Sequence, residues 1–302
     1  MNPTLKTIRR TALAATLLAC AAVQLPAQEG GVGTLILAHG GSTEWNDQVR
    51  AVAREVKTGG PVEIGFLMGP EAAAHRYQDV AKRLVEKGAR EIVVVPLLVS
   101  SHSGHYEQIR WLVGATDSLD SVMQHHLHHA GIDRAQVAVP VKVARAIDDS
   151  PEVGRVLAER ALALTRTPGE QALFLLGHGP NESEEYAAWM ANLRPVADSV
   201  KAWTGFRDVR VGLVRDDAPA PVRAEAVRGV RDLIALQAQA TGKPVVVVPV
   251  LVSRGGVTEK LRQDLQGLPV EYAGDPLLPH PGLARWIEAR VREAAGRTAA
   301  GR

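Results

Sequence analysis

The chain has 302 residues, 46% apolar and 23% charged, with one cysteine and a formal net charge of +2 from 35 basic and 33 acidic side chains. This composition excludes a disordered, collagen-like or many-span membrane chain, and the near balance of charge gives no basic surface for nucleic acid. The single cysteine excludes an internal disulfide framework and a zinc site built on several thiolates. At this length one large α/β domain or two smaller ones are admissible. Histidine is distributed unevenly: His39, His75, His102, His105, His125, His126, His128 and His129 precede residue 130, and only His178 and His280 follow it.

Lys6, Arg9 and Arg10 stand ahead of an uncharged stretch from Thr11 to Val23, which leads to Pro26, Ala27 and a polar run. This three-part layout predicts a secretory signal peptide over residues 1–27. The apolar stretch is shorter than the roughly 20 residues a membrane span needs. Leu17-Leu18-Ala19-Cys20 resembles a lipoprotein box and Arg9-Arg10 a twin-arginine signal. Simple cleavage near Ala27 fits better than either. The expected location is therefore extracytoplasmic, in the periplasm, with membrane attachment only through lipid on Cys20. An apolar helix that stays with the fold is the alternative. Without residues 1–27 the chain carries 32 basic against 33 acidic side chains, so the basic excess belongs to the leader.

From Gly33 onward, β-branched runs at 34–40, 61–67, 91–100 and 136–143 alternate with helical patterns such as Glu71 to Lys87. Near-continuous Val/Ile/Leu strands separated by helices predict a parallel sheet covered on both faces. The grammar then repeats. ALFLLGHG at 172–179 echoes residues 34–40, Val209 to Val214 echoes the second strand, and VVVPVLVS at 246–253 reads against VVVPLLVS at 93–100. Two similar doubly wound α/β lobes are expected, over residues 33–166 and 171–297, joined through Thr165 to Gln171 with a ligand cleft between them. Ligands of open parallel sheets bind beyond the carboxyl ends of the strands.

His39 closes the first strand ahead of Gly40-Gly41-Ser42, and the third strand runs into Ser100-Ser101-His102-Ser103-Gly104-His105-Tyr106-Glu107. No lysine follows the glycines as a phosphate-binding loop requires, so no nucleotide is expected. Imidazoles at the ends of two neighbouring strands, with a carboxylate nearby, suit a first-row divalent metal. Scattered strand-end or surface histidines are the plain alternative. In the tract Gln124-His125-His126-Leu127-His128-His129, helical spacing puts His125 and His129 on one face, which fits either a metal-loading tract or a solvated helix face.

An apolar strand ending in His-Gly, a second ending in Phe-Leu with Pro shortly after, and a third reading Val-Val-Pro-Leu-Leu-Val before a Gly-His step resemble the sirohydrochlorin chelatases, the CbiX-type class II family. The resemblance covers nearly the whole chain beyond residue 33, because long members of that family are also tandem duplications. It implies a chelatase-like fold and ATP-independent insertion of Co2+ or Fe2+ into sirohydrochlorin, with the metal, Ni2+ included, as substrate and a tetrapyrrole as the small-molecule partner. It places the metal and catalytic residues at His39 and His105, and the turn is one residue longer than usual, so His102 could share the second place. The family's Glu after Phe-Leu is absent: Phe66-Leu67 is followed by Met68.

Metallation must remove two pyrrole protons, and Met68 accepts none, so Glu71, Glu107 and Glu44 are the candidate carboxylates. In the second half His178 matches His39, but Arg254-Gly255-Gly256 replaces the second His step and Arg215-Asp216-Asp217 stands at the Glu motif. The metal chemistry is therefore assigned to the first lobe. Arg215 and Arg254 become candidates for substrate carboxylates, or else pair with Asp216 and Asp264. His75 and His280 are expected in packing or surface roles, and the five tryptophans in the core, with Trp45 near enough to His39 to stack on a macrocycle. Three functions remain in play: a chelatase, a non-catalytic tetrapyrrole or metal-binding protein, and a solute-binding protein without metal. The repeated His-Gly argues against the last.

Overall fold

The computed structural model describes residues 31–296; the expected signal peptide and Cys20 lie outside them. Two four-stranded, wholly parallel sheets are present. In the first, β1 (Val32–Ala38) lies between β2 (Val62–Phe66) and β3 (Glu91–Leu97), with β4 (Val141–Val143) outside β3. In the second, β5 (Ala172–Gly177) lies between β6 (Asp208–Leu213) and β7 (Val245–Val250), with β8 (Val270–Glu271) outside β7. The same order in both sheets is the duplication made visible. β4 is shorter than the run at 136–143 predicts, because β3 begins at Glu91 and Ile92 pairs with Val141, leaving the preceding residues no strand to bond. β8, at two residues, has too little pattern to be read from sequence.

The helices are α1 (Thr43–Glu55), α2 (Tyr77–Glu86), α3 (Gly104–Leu112), α4 (Ser121–His129), α5 (Pro151–Leu162), α6 (Ser183–Thr204), α7 (Ala220–Thr241), α8 (Gly256–Asp264) and α9 (Pro281–Ala294). Their placement departs from two self-contained halves. α9, the last helix of the second half, packs on α1 and β3 of the first, while α5, the last helix of the first half, packs on α6 and β7 of the second. α5 and α9 also pack on each other. The period-2 alternation of β5 and β7 shows the result. Leu173, Leu175, Val246 and Val248 join one apolar core continuous with the first lobe, whereas Phe174, Leu176, Val245 and Val247 face a separate core under α7.

Trp286 on α9 is wholly buried in the shared core, and its indole N–H has no hydrogen-bond partner among the described residues. Its contribution is therefore volume and apolar area. We expect Trp286→Ala to cost about 3–5 kcal/mol in urea unfolding and Trp286→Phe much less, since the phenyl ring forfeits no hydrogen bond.

Candidate functional site

Parallel register sets the site. Ala38, the last residue of β1, lies opposite Phe66 and Leu97, so the chain segments leaving all three strands emerge at one level. His39 follows, and its carbonyl accepts the Met68 N–H at 2.9 Å, which places the position after Phe-Leu directly beside it. Gly40 has φ +89°, and a Cβ there would meet the Met68 carbonyl oxygen at 2.1 Å, so only glycine allows the two turns to touch. The Nδ1 of His39 is 2.7 Å from the Gly40 carbonyl oxygen. A carbonyl only accepts, so Nδ1 carries the proton and Nε2 keeps its lone pair.

His105 arrives from the other side of β1. The loop after β3 is fastened by buried Asp148, which accepts both the N–H and the hydroxyl of Ser101 at 2.7 Å. Ser103 then caps α3 by accepting the Tyr106 N–H, which puts His105 in the first turn. The His105 Nδ1 lies 2.8 Å from Gln108 Oε1. Gln108 is buried and donates its amide N–H to the Met123 carbonyl of α4 at 2.7 Å, so its oxygen is the end that faces the ring. His105 is thereby held in the same tautomer as His39. The two rings meet edge to face, centroids 4.7 Å apart at 83°. Burial, and next the neighbouring His39, push the His105 pKa down to about 4. It therefore stays neutral in mildly acid solution.

The remaining candidates divide. The His102 ring is exposed, while its carbonyl accepts the Trp189 indole N–H at 2.7 Å; the imidazole pair is formed by His39 and His105 without it. The expected carboxylate helpers are engaged elsewhere. Glu71 accepts from Asn46 and pairs with Arg50, which together hold its carboxyl below the usual range, and Asn46 in turn bonds both backbone groups of Gly41. Glu71 is thus a brace for the His-Gly-Gly turn. Glu107 is bound to Arg110 through both oxygens, and Glu44 is exposed on a separate groove of about 710 Å³.

The Arg215 guanidinium donates to the Pro180 and Asn181 carbonyls and lies over Tyr186. Arg254 pairs with Asp275 at 2.6 Å on the rim of the Glu44 groove, rather than with Asp264. Asp216 and Asp264 instead share Arg223. His125, His126, His128 and His129 are all exposed on α4, with the His125 and His129 rings stacked at 6.3 Å. His75 packs on Phe66, and His280 caps α9. Among the described residues no group of three His, Cys, Asp or Glu side chains is placed to hold a metal. Any ion here would rest on the imidazole pair and on its own other ligands.

In the second lobe the counterpart of His39 is His178. It follows β5 as His39 follows β1, its Nδ1 is 3.0 Å from the Gly179 carbonyl oxygen, and its ring stands edge-on to Trp189 at 5.2 Å. Burial pushes its pKa down, and its charge is coupled to that of His39.

The depressed His105 pKa has a stability consequence. Unfolded, the imidazole takes its proton near pH 6.5; folded, it resists until about pH 4. Between those values the unfolded state binds more protons, so the stabilisation present above pH 6.5 is lost as pH falls toward 4. Urea titrations at pH 7 and 5 should show a destabilisation at pH 5, with a slope of at most about 1.4 kcal/mol per pH unit from this residue, that His105→Gln removes.

The CbiX family profile matches residues 33–164 and 172–294. The chain is 42% identical over 72 residues to a sirohydrochlorin cobaltochelatase of Sulfolobus acidocaldarius; that match covers 23% of this chain and only 56% of the relative's length. Among solved structures, SirB of Bacillus subtilis with Fe3+ superposes with a TM-score of 0.62 at 16% identity, covering 88% of this chain and 96% of SirB. The cobalt complex of the sirohydrochlorin chelatase SirB from subspecies spizizenii gives 0.58 at 18% identity, with the same coverage. A multi-domain protein of Deinococcus radiodurans with structural similarity to chelatases gives 0.55 at 19% identity, covering 90% of this chain and 56% of that one. The solved structures speak for the fold, and the profile, matching both repeats over most of the sequence, for the lineage: the chain belongs to the CbiX family.

Proposed function

We propose that this protein is an exported class II chelatase that inserts Co2+ or Fe2+, without ATP, into sirohydrochlorin or a related tetrapyrrole. The observation that carries the reading is the His39–His105 pair, two imidazoles in edge contact at 4.7 Å, each with Nδ1–H anchored and Nε2 free. Two neutral nitrogens leave a divalent ion its full charge and several exchangeable positions, a hold firm enough to receive it and weak enough to release it to four ring nitrogens. A structural zinc site would want four protein ligands. The four histidines of α4 belong to the same proposal as a loading tract, since α4 is joined to His105 through Gln108. The extracytoplasmic location rests on the residue pattern of the leader.

One observation favours a second reading, a tetrapyrrole- or metal-binding protein that does not catalyse insertion: Met68 fills the place beside His39 where the resemblance calls for Glu, and Glu71 and Glu107 are tied to arginines. Anaerobic incubation with sirohydrochlorin and Co2+, followed by absorption, separates the two. Insertion faster than in the protein-free control, and lost by at least about 100-fold in His39→Ala, is the expected result. A spectral change on binding with no faster metallation would establish the binder instead.

Gln108 gives a second test. Gln108→Leu leaves the His105 Nδ1 without its acceptor and frees the ring to change tautomer. Co2+ affinity, measured by calorimetry, should fall about 10-fold or more, as for other residues that orient a ligating histidine.

A further inference from the structure

We propose that the second lobe supplies the proton acceptor for metal insertion, with His178 taking a pyrrole proton while His39 and His105 hold the metal. The inference deepens the chelatase reading and rests on it. An imidazole whose Nε2 is bound to a metal has no lone pair left for a proton, so the pair that receives the ion cannot begin the deprotonation. The first lobe's candidates among the described residues are placed elsewhere: Met68 is not a base, Glu71 is tied to Asn46 and Arg50, Glu107 to Arg110, and Glu44 is exposed on a separate groove.

His178 meets the requirement. Its Nδ1–H is anchored on the Gly179 carbonyl, so the free Nε2 is the acceptor, and Trp189 supports the ring from the side. Trp189 also donates its indole N–H to the His102 carbonyl, which fixes this imidazole against the loop that leads to His105. In the second lobe the place of Met68 beside His39 is taken by an acid: the Asp216 N–H donates to the His178 carbonyl at 3.1 Å, as that of Met68 does to His39. Asp216 is buried against Arg223 and Lys260, while Asp217 next to it is exposed. Burial holds the His178 pKa down; among the charged groups around it Asp217 and Asp216 oppose that shift and His39 adds to it. Lobe two thus carries an acid where lobe one has Met68, tied to its own cations as Glu71 is to Arg50.

The step balances. One pyrrole N–H bond breaks, its proton goes to His178 Nε2, and its electron pair stays on the ring nitrogen and binds the metal. His178 passes that proton to water, its Nε2 takes the proton of the second pyrrole N–H in the same way, and the ion moves onto the ring. One divalent ion enters and two protons leave.

The test uses the full chain, anaerobic sirohydrochlorin and Co2+, with Co2+ binding to the protein alone measured separately by its visible absorption. His178→Asn is expected to lower kcat by about 100-fold or more, leave Co2+ binding unchanged and abolish the pH dependence of kcat due to this base, while His178→Glu restores part of the rate with a shifted pH optimum. His178→Asn with kcat within about twofold of the parent and the same pH profile would overturn the proposal. So would loss of Co2+ binding as severe as in His39→Ala, which would make His178 a metal ligand. Should His178→Asn lose its fold by circular dichroism, Asp217→Asn on its exposed side chain decides: a lowered kcat and altered pH profile support the proposal, and an unchanged pair of values overturns it. If the parent protein does not accelerate insertion at all, the chelatase reading fails and takes this inference with it.

Discussion

The chemistry of this molecule depends on a mutual exchange of helices. Each sheet leaves an apolar face toward the middle of the protein, and each is covered partly by a helix from the other half, α9 on the first and α5 on the second. The two sheets therefore share a core and cannot slide or part without exposing it. That constraint is what allows side chains from different repeats to be placed to within hydrogen-bonding tolerance. Trp189 reaches His102, Asn192 reaches Asp148, and Ser253 reaches the Trp45 carbonyl, each across the junction of the halves.

Within that frame the site is built from backbone. The imidazoles are aimed by carbonyls and by one amide, and glycines at 40 and 179 bring the turns close enough for this. Carboxylates that would tune a resident metal are used instead as braces: Glu71 for the first His-Gly turn, Asp148 for the loop before His105, Asp216 for the turn after β6. Under the proposed function neutral ligands suit such a site, since a bound carboxylate would deepen the well from which the metal has to leave.

The strands, the duplication and the His39–His105 pair were legible in the sequence because hydrophobic runs and strand-end motifs report local structure directly. Three things were not. Helix exchange left no trace, since α5 and α9 have the same amphipathic pattern whichever sheet they cover. The engagement of Glu71 and Arg215 depended on partners such as Arg50, Asn46 and the Pro180 carbonyl, whose approach is a tertiary matter. His178 was visible as a motif but discounted, because the second His step is missing from its own half. In the proposed mechanism neither half need be complete, since the two together present one set of groups.

The exchange also sets the order in which the chain can become a folded object. Residues 32 to 143 contain every strand of the first sheet, yet the layer over one of its faces is incomplete until α9, at 281–294, is available. As the polypeptide grows from its amino end, the earliest half is the last to be sealed. A truncation before α9 would accordingly injure not the lobe whose sequence it interrupts but the distant one that carries His39 and His105.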